Sequence, residues 1–410
     1  MNSGSNYVVL ISRGLTTVVL FVEHRANRLA LALVLAAALS FSSSTGTRTR
    51  EFDILIFGAT GFVGRLVTAS LLGDRAQFRS LGSGVHLNSG AAGLRFALAG
   101  RNELQLRQLR DGYRSKGFDV SGVKLIVADA ADPASLDKMV AQAKVVLTTV
   151  LEAPNANGRF DASTLIRKSI EHGTHLLDLD GFWLQNEALV SEMDALARST
   201  GTVYSPACGE VSVLPDMTTY RAWTHLGRPK LRRSAVYHAY FNGIHAQGTL
   251  AASFWESYDA PHLRRTGTLL AYGDEFEFSE VSPSNDAKAA YLGNKREAVR
   301  KVAKFVTSAT VEAEDGRQAT ATVSGGEVDY EETARILLEM AISLVQDGVP
   351  AASAGGVWTA AAGWGDALLA RLATIGLGVE VSQPGQTAAV IVREVSKQYA
   401  VAEQALKGAA

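Results

Sequence analysis

Cysteine is almost absent: Cys208 is the only one among 410 residues. That excludes an internal disulfide framework and a cysteine-rich zinc site. Net charge is equally scarce, at −1 from 40 basic and 41 acidic side chains. Phosphate binding along a nucleic acid relies on clustered excess Lys and Arg, so no nucleic-acid partner is expected. Proline is sparse, 9 residues against 38 glycines. That balance suits an α/β enzyme with tight strand-to-helix turns. What is plentiful is apolar surface. Hydrophobic residues make up 47% and charged residues 20%, enough for a real core and too apolar for disorder. At about 150 residues per domain the length corresponds to roughly two to three domains.

Residues 1–50 stand apart. Glu23 is their only acid, against Arg13, Arg25, Arg28, Arg48 and Arg50. Of two apolar runs, 7–22 is broken by Arg13, and 29–41, about 13 residues long, falls short of the ~20 that span a bilayer as a helix. The second run has the length of a signal-peptide core, with small residues at Ala36-Ala37-Ala38 for cleavage. Scarce acids with Arg and Ser also fit an organelle transit peptide. Three readings compete: a cleaved targeting segment, a retained membrane anchor, and a mis-assigned start. Residues 42–50 read as a polar linker.

From Phe52 the pattern is that of a buried parallel strand, Phe-Asp-Ile-Leu-Ile-Phe. It runs into Gly58-Ala59-Thr60-Gly61-Phe62-Val63-Gly64-Arg65, and a helical pattern follows through Leu66, Val67, Ala69, Leu71 and Leu72. Gly58 allows the sharp turn, Gly61 leaves room for a pyrophosphate, and Gly64 lets the helix sit close to the strand. The helix's opening N–H groups and positive dipole end would face the phosphates. Gly58, Thr60, Gly61, Phe62, Val63 and Gly64 are therefore candidate dinucleotide-binding residues.

A second strand is expected over 95–99, ending in Gly100-Arg101-Asn102. An NAD site usually has an acid here for the ribose 2′-hydroxyl. Arg101 instead offers a fork of donors suited to a 2′-phosphate, which favours NADP (NADPH) over NAD. Its alternative role is that of a solvated residue at a helix start. Residues 73–93 read as a Gly/Ser-rich surface-loop insertion. Strands are expected at 123–128, 144–149, 175–178 and 202–204. Helices are expected at 133–142, 162–171 and 186–198. Asp129 falls where an adenine amino group could bind, and Thr148 and Thr149 near the nicotinamide ribose. The alternation predicts an α/β fold: a Rossmann-type doubly wound parallel sheet with a second α+β domain.

In that second unit, 233–241 is strand-like, Gly248-Thr249 starts a helix through Trp255, and 307–313 and 318–323 flank Asp315-Gly316 as a hairpin. Such a sheet covers a cofactor or forms a homodimer face. Residues 330–345 form a strongly apolar helix whose spacing fits core packing better than a membrane face. Trp358, Trp364, Leu368, Leu369 and Leu372 fit either core packing or a lipid-contacting surface. A tail helix is expected over 387–406. The domain plan is a targeting or anchor leader and linker (1–50), a NAD(P)-binding Rossmann domain (51–213), an α+β substrate or dimerisation domain (214–325), a helical return to the first domain (326–380) and a tail (381–410).

No metal site is expected. His172, His175, Asp178 and Asp180 cross from a helix end into a strand, and strand alternation puts His175 opposite Asp178 and Asp180. Cys208 lacks a His/Asp partner at any recognisable spacing and reads as a small buried hydrophobe. No Ser-His-Asp elbow is present.

These segments resemble the saccharopine dehydrogenase-like oxidoreductases, a group that includes bacterial trans-acting enoyl reductases. The likeness rests on Glu51 to Ile54 leading into GATGFVGR, Ala97 to Arg101, Val145 to Val150, Gly173-Thr174-His175 with Asp178, Gly248 to Ser253, Ala354 to Thr359 and Gly365 to Leu372. It covers about residues 51–380. It implies an NAD(P)-dependent oxidoreductase with a small-molecule or lipid-derived, apolar substrate, linked to a membrane or lipid-droplet surface. The chain departs from the family pattern on the substrate side. Leu151-Glu152-Ala153-Pro154 replaces Gly-Pro and a Tyr; Phe182 replaces Glu after Gly181; Glu210 and Val211 replace Phe-Asp, with Ser212 kept and Pro215-Asp216 displaced by one. Altered chemistry, an altered substrate and cofactor binding without turnover stay open. No catalytic residue is assigned; Asp178, Ser212 and Asp216 are proton-donor candidates by position alone.

Overall fold

The first apolar run is rich in β-branched residues, which favour a pleated strand over a helix. In the computed structural model it folds as a hairpin, β1 (Tyr7–Arg13) and β2 (Thr16–Val22), with Tyr7 opposite Val22. The structure describes residues 7–13, 16–22, 50–81, 84–150, 162–181, 184, 186–241, 250–253, 256–283, 304–383, 385–388 and 390–391. The second apolar run and nearly all of the expected tail helix lie outside these. The chain divides into two units, Met1–Thr49 and Arg50–Ala410. No helix among the described residues is long and apolar enough to cross a membrane.

In the second unit, strands and helices alternate in chain order: β3 (Phe52–Phe57), α1 (Phe62–Leu72), β4 (Phe96–Gly100), α2 (Glu103–Ser115), β5 (Lys124–Val127), α3 (Pro133–Val140), β6 (Ala143–Thr148), α4 (Ala162–His172), β7 (His175–Asp178), α5 (Glu187–Thr200) and β8 (Val203–Ser205). Then come α6 (Glu210–His225), β9 (Leu231–Phe241), β10 (Leu250–Ala252), α7 (Glu256–Leu270), β11 (Glu277–Pro283), β12 (Lys304–Ala313) and β13 (Gln318–Gly325). The chain closes with α8 (Thr333–Gln346), α9 (Pro350–Ala354), β14 (Gly356–Val357), α10 (Ala360–Thr374) and β15 (Glu380–Val381).

The first sheet has seven strands in the order β14-β8-β7-β6-β3-β4-β5, all parallel. Both faces are covered, and strand alternation decides which side chain goes where. Ile54, Ile56, Leu98, Val145 and Leu147 join one core cluster. Leu55, Phe57, Ala97, Ala99 and Val146 join the other. The chain runs outward from β3 through β4 to β5, then returns to β6 on the other side. The switch between β3 and β6 opens a crevice at their carboxyl ends.

The second sheet has six strands in the order β10-β11-β9-β12-β13-β15. It is mixed: β11 runs parallel to β9 and the other pairs are antiparallel. Asp315-Gly316 turns β12 into β13, with Gly316 at φ +86. The two-sheet α/β architecture is thus the one expected.

Two expectations are corrected. No helix starts before Glu256 among the described residues; Leu250–Ala252 is an edge strand paired with Val281 to Pro283. Backbone pairing at a sheet edge overrides the local helical pattern there. The 73–93 insertion is not a simple surface loop. Phe78 and Ser80 are buried, and carboxylates from the return helix and the turn before it hold the segment. Glu331 accepts from the N–H of Arg79 (2.8 Å) and Ser80 (3.0 Å) and from the Ser80 hydroxyl (2.7 Å). Glu339 accepts from the Ser89 N–H at 2.7 Å. The holding residues lie some 250 positions away, out of reach of any local pattern.

Candidate functional site

Gly58 follows β3 with φ +87, a left-handed conformation that glycine adopts freely. A Cβ there would lie 2.6 Å from Thr149 Oγ1. Gly61 caps α1 in extended conformation with no side-chain cap bond. A Cβ at Gly64 would fall 2.3 Å from the Gly58 carbonyl oxygen and 2.8 Å from Ala59 Cα. Both contacts are backbone, so any side chain there would push helix and turn apart. The result is a tight strand–turn–helix whose exposed rim is Gly61 and Phe62, with Thr60 and Val63 half-buried. The opening turn of α1 has N–H groups without intrahelical acceptors, at the positive end of the helix dipole. No acid stands in that first turn to compete with an anionic ligand.

The loop is braced from three sides. The N–H groups of Gly58 (3.0 Å) and Ala59 (3.1 Å) donate to the Ala99 carbonyl. Arg65 Nε donates to the Thr60 carbonyl at 2.8 Å. Thr149 Oγ1 lies 3.2 Å from the carbonyl oxygens of both Phe57 and Gly58. Phe62 is 46% exposed, and its ring meets Tyr330 edge-on at 4.7 Å.

The other expected residues share the same edge of the sheet. Phe57 pairs in register with Ala99 and with Thr148, and Gly100 with Val127. Arg101 therefore follows β4 beside the glycine turn, exposed and without a hydrogen-bond or ionic partner among the described residues. Asp129 lies just beyond β5, exposed, with Oδ1 accepting the Ala131 N–H at 3.0 Å. Thr148 is buried and accepts the Val150 N–H at 3.2 Å. Both threonine hydroxyls thus serve the backbone of the crevice wall. Residues 151–161, where the expected nicotinamide loop lies, and Phe182 are outside the described residues.

The proton-donor candidates point inward. Asp178, at the carboxyl end of β7, is buried, and its Oδ1 accepts the Asp180 N–H at 3.0 Å. The Ser212 hydroxyl donates to Asp259 Oδ1 at 2.6 Å. Asp216 Oδ2 accepts the Ala361 N–H at 2.8 Å and lies 3.2 Å from His262 Nε2. Cys208 is fully buried and its thiol is pushed up to about 12 by burial, as befits a small hydrophobe rather than a nucleophile. His172 and His175 do not converge. His172 Nε2 pairs with Asp137 at 3.0 Å, and His175 Nδ1 accepts the Val203 N–H at 3.0 Å.

Sequence reasoning missed Tyr330. It stands in a π-type turn, Val328–Glu332, just before the apolar α8. The run of acids around it was the available signal, since a helix bound for the core rarely opens on Glu331-Glu332 unless those charges have partners.

No protein-family model matches the sequence. Among curated proteins, the chain is 32% identical over 168 residues to a lipid droplet localized protein of Caenorhabditis elegans, covering 41% of this chain and 35% of that one. It is 31% identical over 211 residues to a trans-acting enoyl reductase of Mycobacterium ulcerans, covering 51% and 45%. The matches span less than half the length of these relatives. Among solved structures, saccharopine dehydrogenase (L-Glu forming) of Saccharomyces cerevisiae superposes with a TM-score of 0.52 at 11% identity, over 81% of this chain and 99% of that one. That likeness is one of fold. The resemblance to the saccharopine dehydrogenase-like oxidoreductases is borne out by these relatives and this fold.

Proposed function

We propose that the chain is an NADPH-dependent oxidoreductase acting on an apolar, lipid-derived substrate. One observation carries the dinucleotide part: three glycines, two of which a Cβ would drive into neighbouring atoms, clear the opening turn of α1 at the switch point of a parallel sheet. A diphosphate fits that cradle. Thr60, Gly61, Phe62 and Val63 form its rim, and the α1 N–H groups supply donors. Arg101 supports the 2′-phosphate reading, because its guanidinium is exposed, uncommitted and next to the turn. Asp129 would border the adenine.

When bound, the nucleotide supplies hydride chemistry. The chain's part is orientation and exclusion of water. Gly58 and Thr149 keep the crevice wall at the turn, and Thr148 anchors the strand end behind it. The Phe62–Tyr330 pair walls the crevice mouth with apolar surface. The enoyl reductase and lipid-droplet relatives support a lipid-derived substrate and residence at a lipid surface.

A second reading, a lipid-surface dinucleotide-binding protein with little turnover, is favoured by the inward hydrogen bonds of Ser212 and Asp216. The purified full-length chain separates the two. Both readings expect NADPH binding that Gly61→Asp abolishes. Only the first expects NADPH oxidation with an enoyl or keto lipid. Unchanged NADPH affinity in Gly61→Asp overturns both.

A further inference from the structure

Ionisable side chains meet beneath the second sheet, in an interior with no access to water. His238 on β9, Asp259 on α7 and Glu280 on β11 are 1%, 0% and 0% exposed. One ligand-type atom of each lies within 4.8 Å of the other two. His238 Nε2 is 3.4 Å from Glu280 Oε1. That is close to the edge of a tetrahedron around a cation with bonds of about 2.1 Å.

Hydroxyls hold two of the three groups from behind. His238 Nδ1 is 2.8 Å from Thr307 Oγ1, its neighbour across β12. Asp259 Oδ1 accepts from Ser212 Oγ at 2.6 Å. Such outer partners set the ring and carboxylate orientation of metal ligands. Beyond one another and His238, Asp259 Oδ2 and both Glu280 oxygens have no polar partner among the described residues. Two buried carboxylates side by side are costly without a compensating positive charge. Either a proton shared between the acids or a cation relieves that cost.

We propose that His238, Asp259 and Glu280 bind a divalent transition cation of the zinc type. A neutral imidazole and two carboxylates carry −2, which balances the ion, and nitrogen with oxygen donors suits zinc. Full burial makes the site structural: it ties β9, β11 and α7 into one body. The site shares no residue with the glycine turn and does not rest on the nucleotide reading.

The test uses untagged full-length chain, stripped with chelator and then exposed to zinc alone. Bound metal is counted by mass spectrometry, and thermal unfolding is followed with and without zinc. The expected result is about one zinc per chain with a raised unfolding temperature. Glu280→Gln and Asp259→Asn should lose both the zinc and the shift. Ser212→Ala, which leaves the three ligands in place, should weaken zinc binding about tenfold. A wild-type chain that takes up no zinc and unfolds at one temperature throughout overturns the proposal. So does a Glu280→Gln variant that is more stable than the zinc-free wild type and binds zinc as well, because the two acids would then share a proton.

Discussion

The two sheets bury their surroundings by different means. In the seven-stranded sheet the strands are apolar on both faces, and charge is kept to the strand ends. Asp53 pairs with Arg95 (3.2 Å) and Lys144 (2.9 Å) at the start of β3. Asp178 ends β7 at the carboxyl edge, and Asp180 lies just beyond it. Around the six-stranded sheet and the helix that follows it, charge is deep inside: His238, Asp259, Glu280, Glu331, Glu332, Arg335 and Glu339 are all nearly inaccessible. In the first region the proposed recognition rests on backbone atoms and on the lack of side chains at three glycines. In the second, structure depends on side-chain pairs assembled from distant positions. A backbone site tolerates many neighbours and few substitutions, whereas a buried charge network fails when any one partner is lost.

The sharpest way to separate the regions is to strand a charge in the second. Arg335 donates to Glu332 and to the His86 and Ile375 carbonyls. Burial pushes the Glu332 carboxyl up, and Arg335 opposes that. Arg335→Leu should cost about 3–5 kcal/mol of stability, measured by denaturant unfolding. NADPH affinity of the protein that remains folded should not change. A cost below about 1 kcal/mol would mean that the network contributes no more than surface pairs do.

The reverse experiment is Gly61→Asp. An acid at the α1 entrance opposes a diphosphate sterically and electrically. Affinity for NADPH should fall by at least about 100-fold, or about 2.7 kcal/mol, with little effect on unfolding. A large stability loss with intact affinity would dissolve the contrast.

Acid should act on the first region through His175. Burial, with the Arg50 charge as a smaller contribution, lowers its pKa from 6.5 to about 4. It is therefore neutral in the fold and accepts the Val203 N–H. The unfolded chain binds a proton below 6.5 that the folded chain refuses until about 4. Its contribution is complete above 6.5 and is lost progressively as pH falls through that window. The loss should reach about 3 kcal/mol, and His175→Gln should flatten this limb of a stability–pH profile.

The smallest effect concerns cofactor choice. Arg101→Ala should weaken NADPH about tenfold, or about 1.4 kcal/mol, and leave NADH nearly unchanged. Equal losses for the two would remove Arg101 from the 2′-phosphate role.

The first region was open to sequence reading because its physics is local. A short apolar run of β-formers, a glycine triplet and a following helical period all fall within residues 52–72. The expected strand at 52–57 coincides with β3, and that at 95–99 differs from β4 by one residue at each end. The second region was less open. Leu250 to Ala252 carry a helix-like pattern, yet pair as a sheet edge with residues some thirty positions on. Even beside the first sheet, the 73–93 segment after α1 looks polar and loose, but the distant Glu331 and Glu339 hold it. Tyr330 meets Phe62 across a sequence gap of 268 residues, which no motif announces.

What the chain's order of residues determined alone is the alternating parallel sheet and its glycine turn. Apolar periodicity and side-chain absence are properties of neighbours along the chain, and they act before any long-range contact forms. Only the tertiary structure decided which carboxylates would be buried, and against what. The gathering of His238, Asp259 and Glu280 follows from strand register and helix placement. A buried charge is tolerable or ruinous according to partners that the fold alone supplies.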